Sequence, residues 1–198
     1  MRRTLLVNLD RCSGCDSCIV YCKYENGLQL GEYYNRVVAV GPYGDFPYVS
    51  MYWLPTCCQQ CENPQCVKVC PTGASYRDPD TNVVLVNGDK CIGCQYCVYA
   101  CPYGVRSMNK ATSVAQKCNL CSQYTADGSD VPVCVHNCPT GARLFGDLDD
   151  PESDVCKEIA RYDDDCIHHL SDPKGRWSCS GSFAAWAARS PAASASPS

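Results

Sequence analysis

The sequence predicts a loop-rich α+β fold that repeats one unit, a short apolar strand followed by a cysteine-rich loop and a helix. Residues 10–22 and 89–101 share the order Asp, basic residue, Cys, any residue, Gly, Cys, and an apolar run precedes each of them. Residues 66–74 and 134–142 share a second order, Cys-Val-x-x-Cys-Pro-Thr-Gly-Ala. Because the similarity is internal to one chain, we expect related local structures at the repeats.

Cysteine dominates the composition, at 20 of 198 residues. Such a fraction is typical of two classes of protein, domains held together by disulfides and chains that bind metal. Most of the cysteines fall into four groups of four. These groups are motif I (Cys12, Cys15, Cys18, Cys22), motif II (Cys58, Cys61, Cys66, Cys70), motif III (Cys91, Cys94, Cys97, Cys101) and motif IV (Cys118, Cys121, Cys134, Cys138).

Motif III has the spacing C-x2-C-x2-C-x3-C and is followed directly by Pro102. In bacterial ferredoxins this spacing lets three cysteines bind one [4Fe–4S] cluster while the fourth reaches a second cluster. Three closely spaced thiolates on a loop can surround three corners of a cubane, and Pro102 discourages the following helical turn from continuing. Gly93 would let the loop backbone approach an inorganic sulfide. The four motifs together predict four [4Fe–4S] clusters.

Two other kinds of site compete with this interpretation. Disulfides rarely involve so many cysteines three residues apart, because neighbours on a tight loop cannot pair without strain. Structural zinc uses C-x2-C pairs, but its site closes at four ligands and needs no third cysteine two residues further on. A zinc-binding or disulfide-bonded structural protein remains an alternative class, which iron and sulfide analysis with a visible absorption spectrum would separate.

On these motifs the chain resembles the four-cluster, ferredoxin-like iron–sulfur subunits of the DMSO reductase family of molybdopterin oxidoreductases. The resemblance covers about residues 1–174 and rests on all four motifs, most distinctively on the x4 gap of motif II and the long third gap of motif IV. It implies two ferredoxin-like modules related by pseudo-twofold symmetry and organised around the four clusters, with motif I paired to motif IV and motif II to motif III. The implied divisions are a first module (1–22 and 103–148), a second module with a β-rich insertion (23–102), a C-terminal extension with a helix (149–174) and a tail predicted as disordered (175–198).

Carried over position by position, the resemblance implies four ligand sets in which the last cysteine of each motif belongs to the cluster of the partner motif. They are cluster 1 (Cys12, Cys15, Cys18, Cys138), cluster 2 (Cys22, Cys118, Cys121, Cys134), cluster 3 (Cys58, Cys61, Cys66, Cys101) and cluster 4 (Cys70, Cys91, Cys94, Cys97).

The function that the resemblance implies is electron transfer without catalysis in this chain, and the motifs hold no catalytic set of other residues. The implied partners are a large molybdopterin-containing catalytic subunit towards the I/IV module, and an integral-membrane quinol-interacting subunit or another redox partner towards the II/III module. A polyferredoxin-type subunit of a hydrogenase or formate-oxidising complex is the alternative. Co-purifying proteins and their molybdenum or nickel content would separate the two.

Net charge argues against nucleic acid as a partner. The formal charge is −4 with thiols counted as neutral, and four oxidised clusters with their thiolates would add about −8. No secretory signal opens the chain, and no apolar run approaches the roughly 20 residues that span a bilayer. We therefore expect no direct membrane insertion. The expected location is the cytoplasm, or the periplasm by co-export with a signal-bearing partner, with membrane association only through partners.

Several positions depart from the repeats. Lys23 follows motif I where the other motifs have proline, so we expect its helix to run on. Beside Cys58, Cys57 is predicted to be a buried thiol rather than a ligand. Arg11, Lys90 and Lys117 each precede a first-ligand cysteine and are candidates to offset cluster charge. Cysteines outside the motifs are predicted to be free thiols and histidines to be surface residues: Cys156, Cys166, Cys179, His136, His168 and His169.

The segments outside the motifs carry two further expectations. Residues 24–56 are rich in aromatic residues and are predicted to form a β-rich insertion that covers the clusters, or else a face buried against a large subunit. Residues 150–161 are predicted to form a helix with Asp150 as N-cap and Pro151 at its first position. After Gly175 the composition becomes rich in Ser, Ala, Gly and Pro, which predicts disorder.

Overall fold

The computed structural model describes residues 2–125 and 130–162, together with the backbone of 167–169 and 185–188. Short helices and strands alternate along the chain, separated by long loops. The helices are α1 (Ser17–Glu25), α2 (Gln65–Lys68), α3 (Tyr96–Tyr99), α4 (Ser122–Thr125), α5 (Val133–His136) and α6 (Asp154–Ile159). The strands are β1 (Arg3–Asn8), β2 (Asn35–Tyr43), β3 (Ser50–Cys57), β4 (Ser75–Arg77), β5 (Val84–Val86), β6 (Ser107–Met108), β7 (Ala115–Gln116), β8 (Arg143–Asp147), β9 (Ile167–His169) and β10 (Ala185–Ala188). This mixture confirms the α+β class.

The largest sheet has the strand order β8-β1-β10-β9. Strand β1 is buried along its whole length, because β8 pairs with it antiparallel on one side and β10 pairs with it in parallel on the other. Strand β10 lies in the tail for which we predicted disorder, so that prediction does not hold for Ala185–Ala188. The rest of the tail, with Cys179, lies outside the described residues, and so does Cys166 of the extension.

Two strand pairs occupy equivalent places in the repeats. Strand β8 follows the Cys-Pro-Thr-Gly-Ala of motif IV and pairs with β1, which precedes motif I. Strand β4 follows the same sequence in motif II and pairs with β5, which precedes motif III. Equivalent backbone hydrogen bonds extend both pairs, from Asn8 N–H to Ala142 O at 2.7 Å and from Asn87 N–H to Ala74 O at 2.8 Å. The structure thus brings motif I beside motif IV and motif II beside motif III.

Each cysteine motif ends in a short helix, and its length depends on the residue after the last cysteine. Helices α2, α3 and α5 have four residues each and stop before a Cys-Pro pair, since a residue before proline avoids the helical region. Helix α1 has nine residues and continues past Cys22, as Lys23 predicts. The Lys23 side chain then stabilises the following loop by donating hydrogen bonds to the carbonyls of Gln29 at 2.9 Å and Glu32 at 2.8 Å.

The insertion is an antiparallel hairpin of β2 and β3, which confirms its predicted β character. Its inner residues Tyr52 and Leu54 pack on Val7 and Leu9 at the beginning of motif I. The Trp53 indole lies directly against Gly14, which has a φ of +68° and no room for a Cβ. The hairpin therefore covers the first ligand loop. Aromatic residues at its tip are exposed, including Tyr43, Phe46 and Tyr48.

The prediction of a helix over 150–161 is wrong about where that helix begins. Helix α6 starts at Asp154, and Ser153 is its N-cap, with Oγ accepting from the Cys156 N–H at 3.3 Å. The Asp150 side chain instead accepts from the Glu152 N–H at 2.9 Å, which closes a separate turn. Ser153 then has an extended backbone, so the turn and the helix cannot be continuous. In the described part of the chain, no helix is long and apolar enough to cross a bilayer.

Candidate metal centres

Two cavities are each lined by four thiols. Their other lining residues come from the ligand loops and from strands, including β2 and β3 in one cavity and β5, β6 and β7 in the other. One cavity contains the cysteines that were assigned to cluster 1 and the other those assigned to cluster 4: Cys12, Cys15, Cys18 and Cys138 in the first, and Cys70, Cys91, Cys94 and Cys97 in the second. Each cavity thus draws three cysteines from one motif and one from its partner.

The cysteines assigned to cluster 2 also meet in the interior. Burial raises the pKa of the Cys22 thiol, and the neighbouring thiols Cys118, Cys134 and Cys121 raise it further. Burial likewise raises the pKa of Cys134 to about 12. Such thiols are poor acids by themselves, and a bound metal would be needed to hold them as thiolates.

The cysteines assigned to cluster 3 form a similar group. Burial raises the pKa of Cys61 to about 11, and Cys58, Cys66 and Cys101 contribute in the same direction. Cys101 belongs to motif III by sequence, but it lies with the first three cysteines of motif II. In both interior groups the structure gathers the same four residues that the resemblance implies.

Each group consists of four thiols, which is the donor set of a [4Fe–4S] cluster. A cubane binds each of its thiolates through a separate iron atom, so its ligands need not converge on one point. The described cysteines are all free of disulfides, Cys156 among them. The donor sets therefore fit [4Fe–4S] clusters.

Two asparagines that the sequence reasoning missed shape the ligand loops. The Asn8 Oδ1 accepts from the N–H groups of Asp10 and Arg11 at 3.0 and 3.2 Å. The Asn87 Oδ1 makes the same contacts with Asp89 and Lys90 at 2.9 and 3.3 Å. Each asparagine stands four residues before the first cysteine of its motif. Extending the repeat by two residues towards the N-terminus would have found the signal.

The two interior groups adjoin at residues 57–60 and 117–118. The Gln60 side chain donates to the Cys118 carbonyl at 3.0 Å and accepts from the Val84 N–H at 2.8 Å. The Lys117 ammonium donates to the same two residues through their carbonyls, at 2.8 Å for Cys118. Cys57 is buried, as predicted, and packs against Cys118. Together with burial, this neighbouring thiol raises the pKa of Cys118.

The three basic residues that were candidates to offset cluster charge differ in their burial and ion pairing. Arg11 forms an ion pair with the buried Glu158 at 2.9 Å, so its charge is already compensated. Lys90 is exposed to solvent. Lys117 is buried beside Cys118 and lowers the pKa of Cys66 as well, partly countering the effect of burial. Of the three, Lys117 lies where the prediction requires.

Two buried arginines near the cysteines were not among the candidates. Arg143 donates from Nη1 to the Cys134 Sγ at 3.4 Å and from Nη2 to the Asn35 Oδ1 at 2.6 Å. Arg106 donates from Nη1 to the Ser75 Oγ at 2.7 Å and lies near Cys66. The sequence carried a signal, since each arginine is the fifth residue after the last cysteine of its motif.

Solvent exposure separates the outer sets from the inner ones. Of the cysteines in the four motifs, Cys15 of cluster 1 and Cys94 of cluster 4 are exposed, and all the others are buried or half-buried. Large apolar side chains surround Cys94, with Ile92 at 67%, Tyr96 at 61% and Tyr99 at 80% exposure. Each outer set thus has one ligand in contact with solvent.

Comparison with known proteins identifies the family to which this chain belongs. The 4Fe–4S dicluster domain family matches residues 49–148, and the 4Fe–4S binding domain family matches residues 9–25. The chain belongs to the 4Fe–4S dicluster family of iron–sulfur electron-transfer subunits. It is 42% identical to a Halobacterium salinarum protein assigned as a dimethyl sulfoxide reductase iron–sulfur subunit, over 86% of this chain and 74% of the relative.

Two bacterial relatives have similar identity. A subunit of the sulfite dehydrogenase of Allochromatium vinosum is 43% identical over 76% of this chain and 71% of its own length. The thiosulfate reductase electron transfer subunit of Salmonella typhi is 43% identical over 72% of this chain and 74% of its own length. These relatives are subunits of oxidoreductase complexes, as the resemblance at the motifs implies. The family confirms [4Fe–4S] clusters as the cofactors.

Proposed function

We propose that this chain relays electrons through four [4Fe–4S] clusters between a molybdopterin-containing catalytic subunit and a second redox partner. The arrangement of the four cysteine groups carries this proposal. The outer groups each expose one ligand, whereas the ligands of the inner groups are all buried or half-buried and the two inner groups adjoin one another. When bound, each cluster accepts and passes on one electron, so four in a row form a path from one surface to another.

The ligand sets proposed are those assigned above to clusters 1 to 4. They imply a first module of residues 1–22 and 103–148 and a second of residues 23–102, related by a pseudo-twofold axis. The equivalent backbone hydrogen bonds of Asn8 and Asn87 support this division, as does the packing of α1 on α5 and of α2 on α3. The extension and the tail, residues 149–174 and 175–198, would follow the modules in the chain, with their strands β9 and β10 added to the sheet of the first module.

Each end of the proposed electron path would face a different partner. Cluster 1 would face the catalytic subunit. Cluster 4 would face a quinol-linked membrane subunit or a soluble carrier, and the exposed apolar residues around Cys94 are suited to such an interface. The relatives are subunits of a dimethyl sulfoxide reductase, a sulfite dehydrogenase and a thiosulfate reductase, which supports a catalytic partner that acts on a sulfur compound. Association with a membrane would then occur through partners, on whichever side the catalytic subunit lies.

The test combines metal analysis with crossed substitutions. The holo-chain should contain about sixteen iron atoms and as many sulfides, and molybdenum should co-purify with it. Cys101→Ser should damage the cluster held by Cys58, Cys61 and Cys66, although Cys101 belongs to motif III. Electron paramagnetic resonance during a redox titration would show which signal changes. A change confined to the cluster of Cys91, Cys94 and Cys97 would refute the crossed ligand sets.

A further inference from the structure

Arg143 is a buried cation without a carboxylate partner. Its side chain is 4% exposed, and its Nε has no hydrogen-bond partner. Among the described residues, the ion pairs involve other arginines and lysines, and Arg143 contacts the neutral Asn35 and the Cys134 sulfur instead. A guanidinium remains charged at any ordinary pH. Burying that charge without an anion would cost several kcal/mol.

Proposed cluster sites, which would be anionic when occupied, lie on two sides of Arg143. Its Nη1 touches the Cys134 sulfur, a proposed ligand of cluster 2. Arg143 also lines the cavity that holds Cys12, Cys18 and Cys138, which is the proposed site of cluster 1. One guanidinium therefore borders two cluster sites, and its unpaired N–H is available to a sulfur atom.

Arg106, which follows motif III, is placed similarly. It is 5% exposed, makes no ion pair within the described residues, and its Nη2 is unpartnered. It lies near Cys66 of the proposed cluster 3. The fifth residue after the last cysteine is Arg in motifs III and IV but Ser75 in motif II and Gly27 in motif I. One such arginine thus follows a motif of the II/III pair and one a motif of the I/IV pair, and Arg106 donates to Ser75, the residue at the same position after motif II.

We propose that Arg143 and Arg106 are positioning residues that raise the reduction potentials of particular clusters, Arg143 those of clusters 2 and 1 and Arg106 that of cluster 3. This inference rests on the four-cluster electron path proposed above. Reduction adds one electron to a cluster and makes it more negative, with no bond formed or broken. A fixed cation nearby stabilises the reduced form more than the oxidised form, and burial keeps the interaction from being screened. Cluster 4 has no arginine at the corresponding position of motif II, where Ser75 stands.

The experiment is a mediated redox titration of the full holo-chain, followed by electron paramagnetic resonance. Arg143→Met should lower the equilibrium constant for reduction of cluster 2 at least tenfold, which is about 59 mV for one electron. Cluster 1 should shift in the same direction by less, because Arg143 lines its cavity without a bond to its ligands. Arg106→Met should lower the potential of cluster 3 and, by less, that of cluster 4, because the Ser75 that accepts from Arg106 lines the cavity of cluster 4. Arg143→Lys, which keeps the charge, should recover most of the shift.

Lys90→Met is the matched control. Lys90 is next to Cys91 in sequence, but its side chain is exposed, so all four potentials should stay unchanged. Unchanged potentials in an Arg143→Met chain with four assembled clusters would overturn the inference, while leaving the electron path intact. Equal shifts in Arg143→Met and Arg143→Lys would also overturn it, because they would trace the effect to shape rather than charge. A wild-type chain without four clusters would instead overturn the proposed function.

A measurement on the unaltered chain covers the case in which Arg143→Met does not assemble its clusters. Labelling arginine with ¹⁵N and recording pulsed electron paramagnetic resonance would detect a guanidinium nitrogen close to a reduced cluster. We expect coupling at cluster 2, since Arg143 bonds to a ligand sulfur there. Its loss in Arg143→Lys, with the cluster retained, would assign the coupling. The absence of any arginine coupling at cluster 2 in the unaltered chain would refute the role of Arg143.

Discussion

Replacing Glu158 with alanine should destabilise the first ligand loop, although Glu158 lies far from it in sequence. Glu158 is 3% exposed and receives three donors: the Asn8 Nδ2 at 2.8 Å, the Arg11 Nη2 at 2.9 Å and the Arg161 Nη1 at 2.7 Å. Asn8 and Arg11 both belong to the strand and loop that lead to Cys12. The carboxylate thus joins helix α6 to the beginning of motif I.

The expected cost is about 3 kcal/mol of unfolding free energy, dominated by the buried contact. A hydrogen bond from Asn8 to a charged, buried acceptor contributes roughly 1.5–3 kcal/mol. The pairs with Arg11 and Arg161 contribute less, roughly 0.2–1 kcal/mol each, because those side chains are 40% and 65% exposed. Burying the carboxylate away from water is itself unfavourable, and its removal recovers part of that cost. The loss of unfolding free energy is therefore near the lower end of the range for broken buried ion pairs.

Urea unfolding of the holo-chain measures this cost, and the rate of iron loss to a chelator measures its effect on cluster 1. Glu152→Ala is the matched control, since Glu152 is 84% exposed and pairs with the exposed Lys157 at 3.1 Å. That variant should lose less than about 1 kcal/mol. Glu158→Gln, which can still accept from Asn8, should fall between the two. Equal stability of Glu158→Ala and Glu152→Ala would refute this account of the Glu158 contacts.

Three further outcomes are expected. Removal of iron should leave a chain without a cooperative thermal transition, because so many buried cysteines depend on the clusters, and a sharp melt of the apo-chain would contradict this. Lys23→Pro should destabilise the holo-chain by about 3 kcal/mol in urea by ending helix α1 early, whereas Lys23→Ala, which removes only the side-chain contacts, should cost clearly less. Cys57→Ser should retain four clusters by iron analysis and Cys58→Ser should not, and the reverse result would show that the ligand register of motif II is wrong.

The local features of this protein could be predicted from sequence because they depend on neighbours along the chain. Cysteines at intervals of three residues place their thiols on one loop whatever surrounds it, so the motifs sufficed for the cofactor class. The length of α1 likewise depends on whether Lys23 or a proline follows the cysteine, and the structure confirms it. The start of α6 was missed for a local reason, since the Asp150 side chain closes a turn of its own before Ser153 caps the helix.

What only the tertiary structure decided is which charges are buried, and against what. Arg11, Lys90 and Lys117 were equivalent by sequence, each preceding a first-ligand cysteine, yet one is paired with Glu158, one is exposed and one is buried. Arg143 drew no attention as one basic residue among many, and its burial beside Cys134 follows from the pairing of β8 with the distant β1. The energy of a charge depends on its solvent and its neighbours in space, and strands and loops far apart in the chain supply both. The sequence by itself therefore determined that clusters are bound, and the packing of distant segments decided which charges surround them.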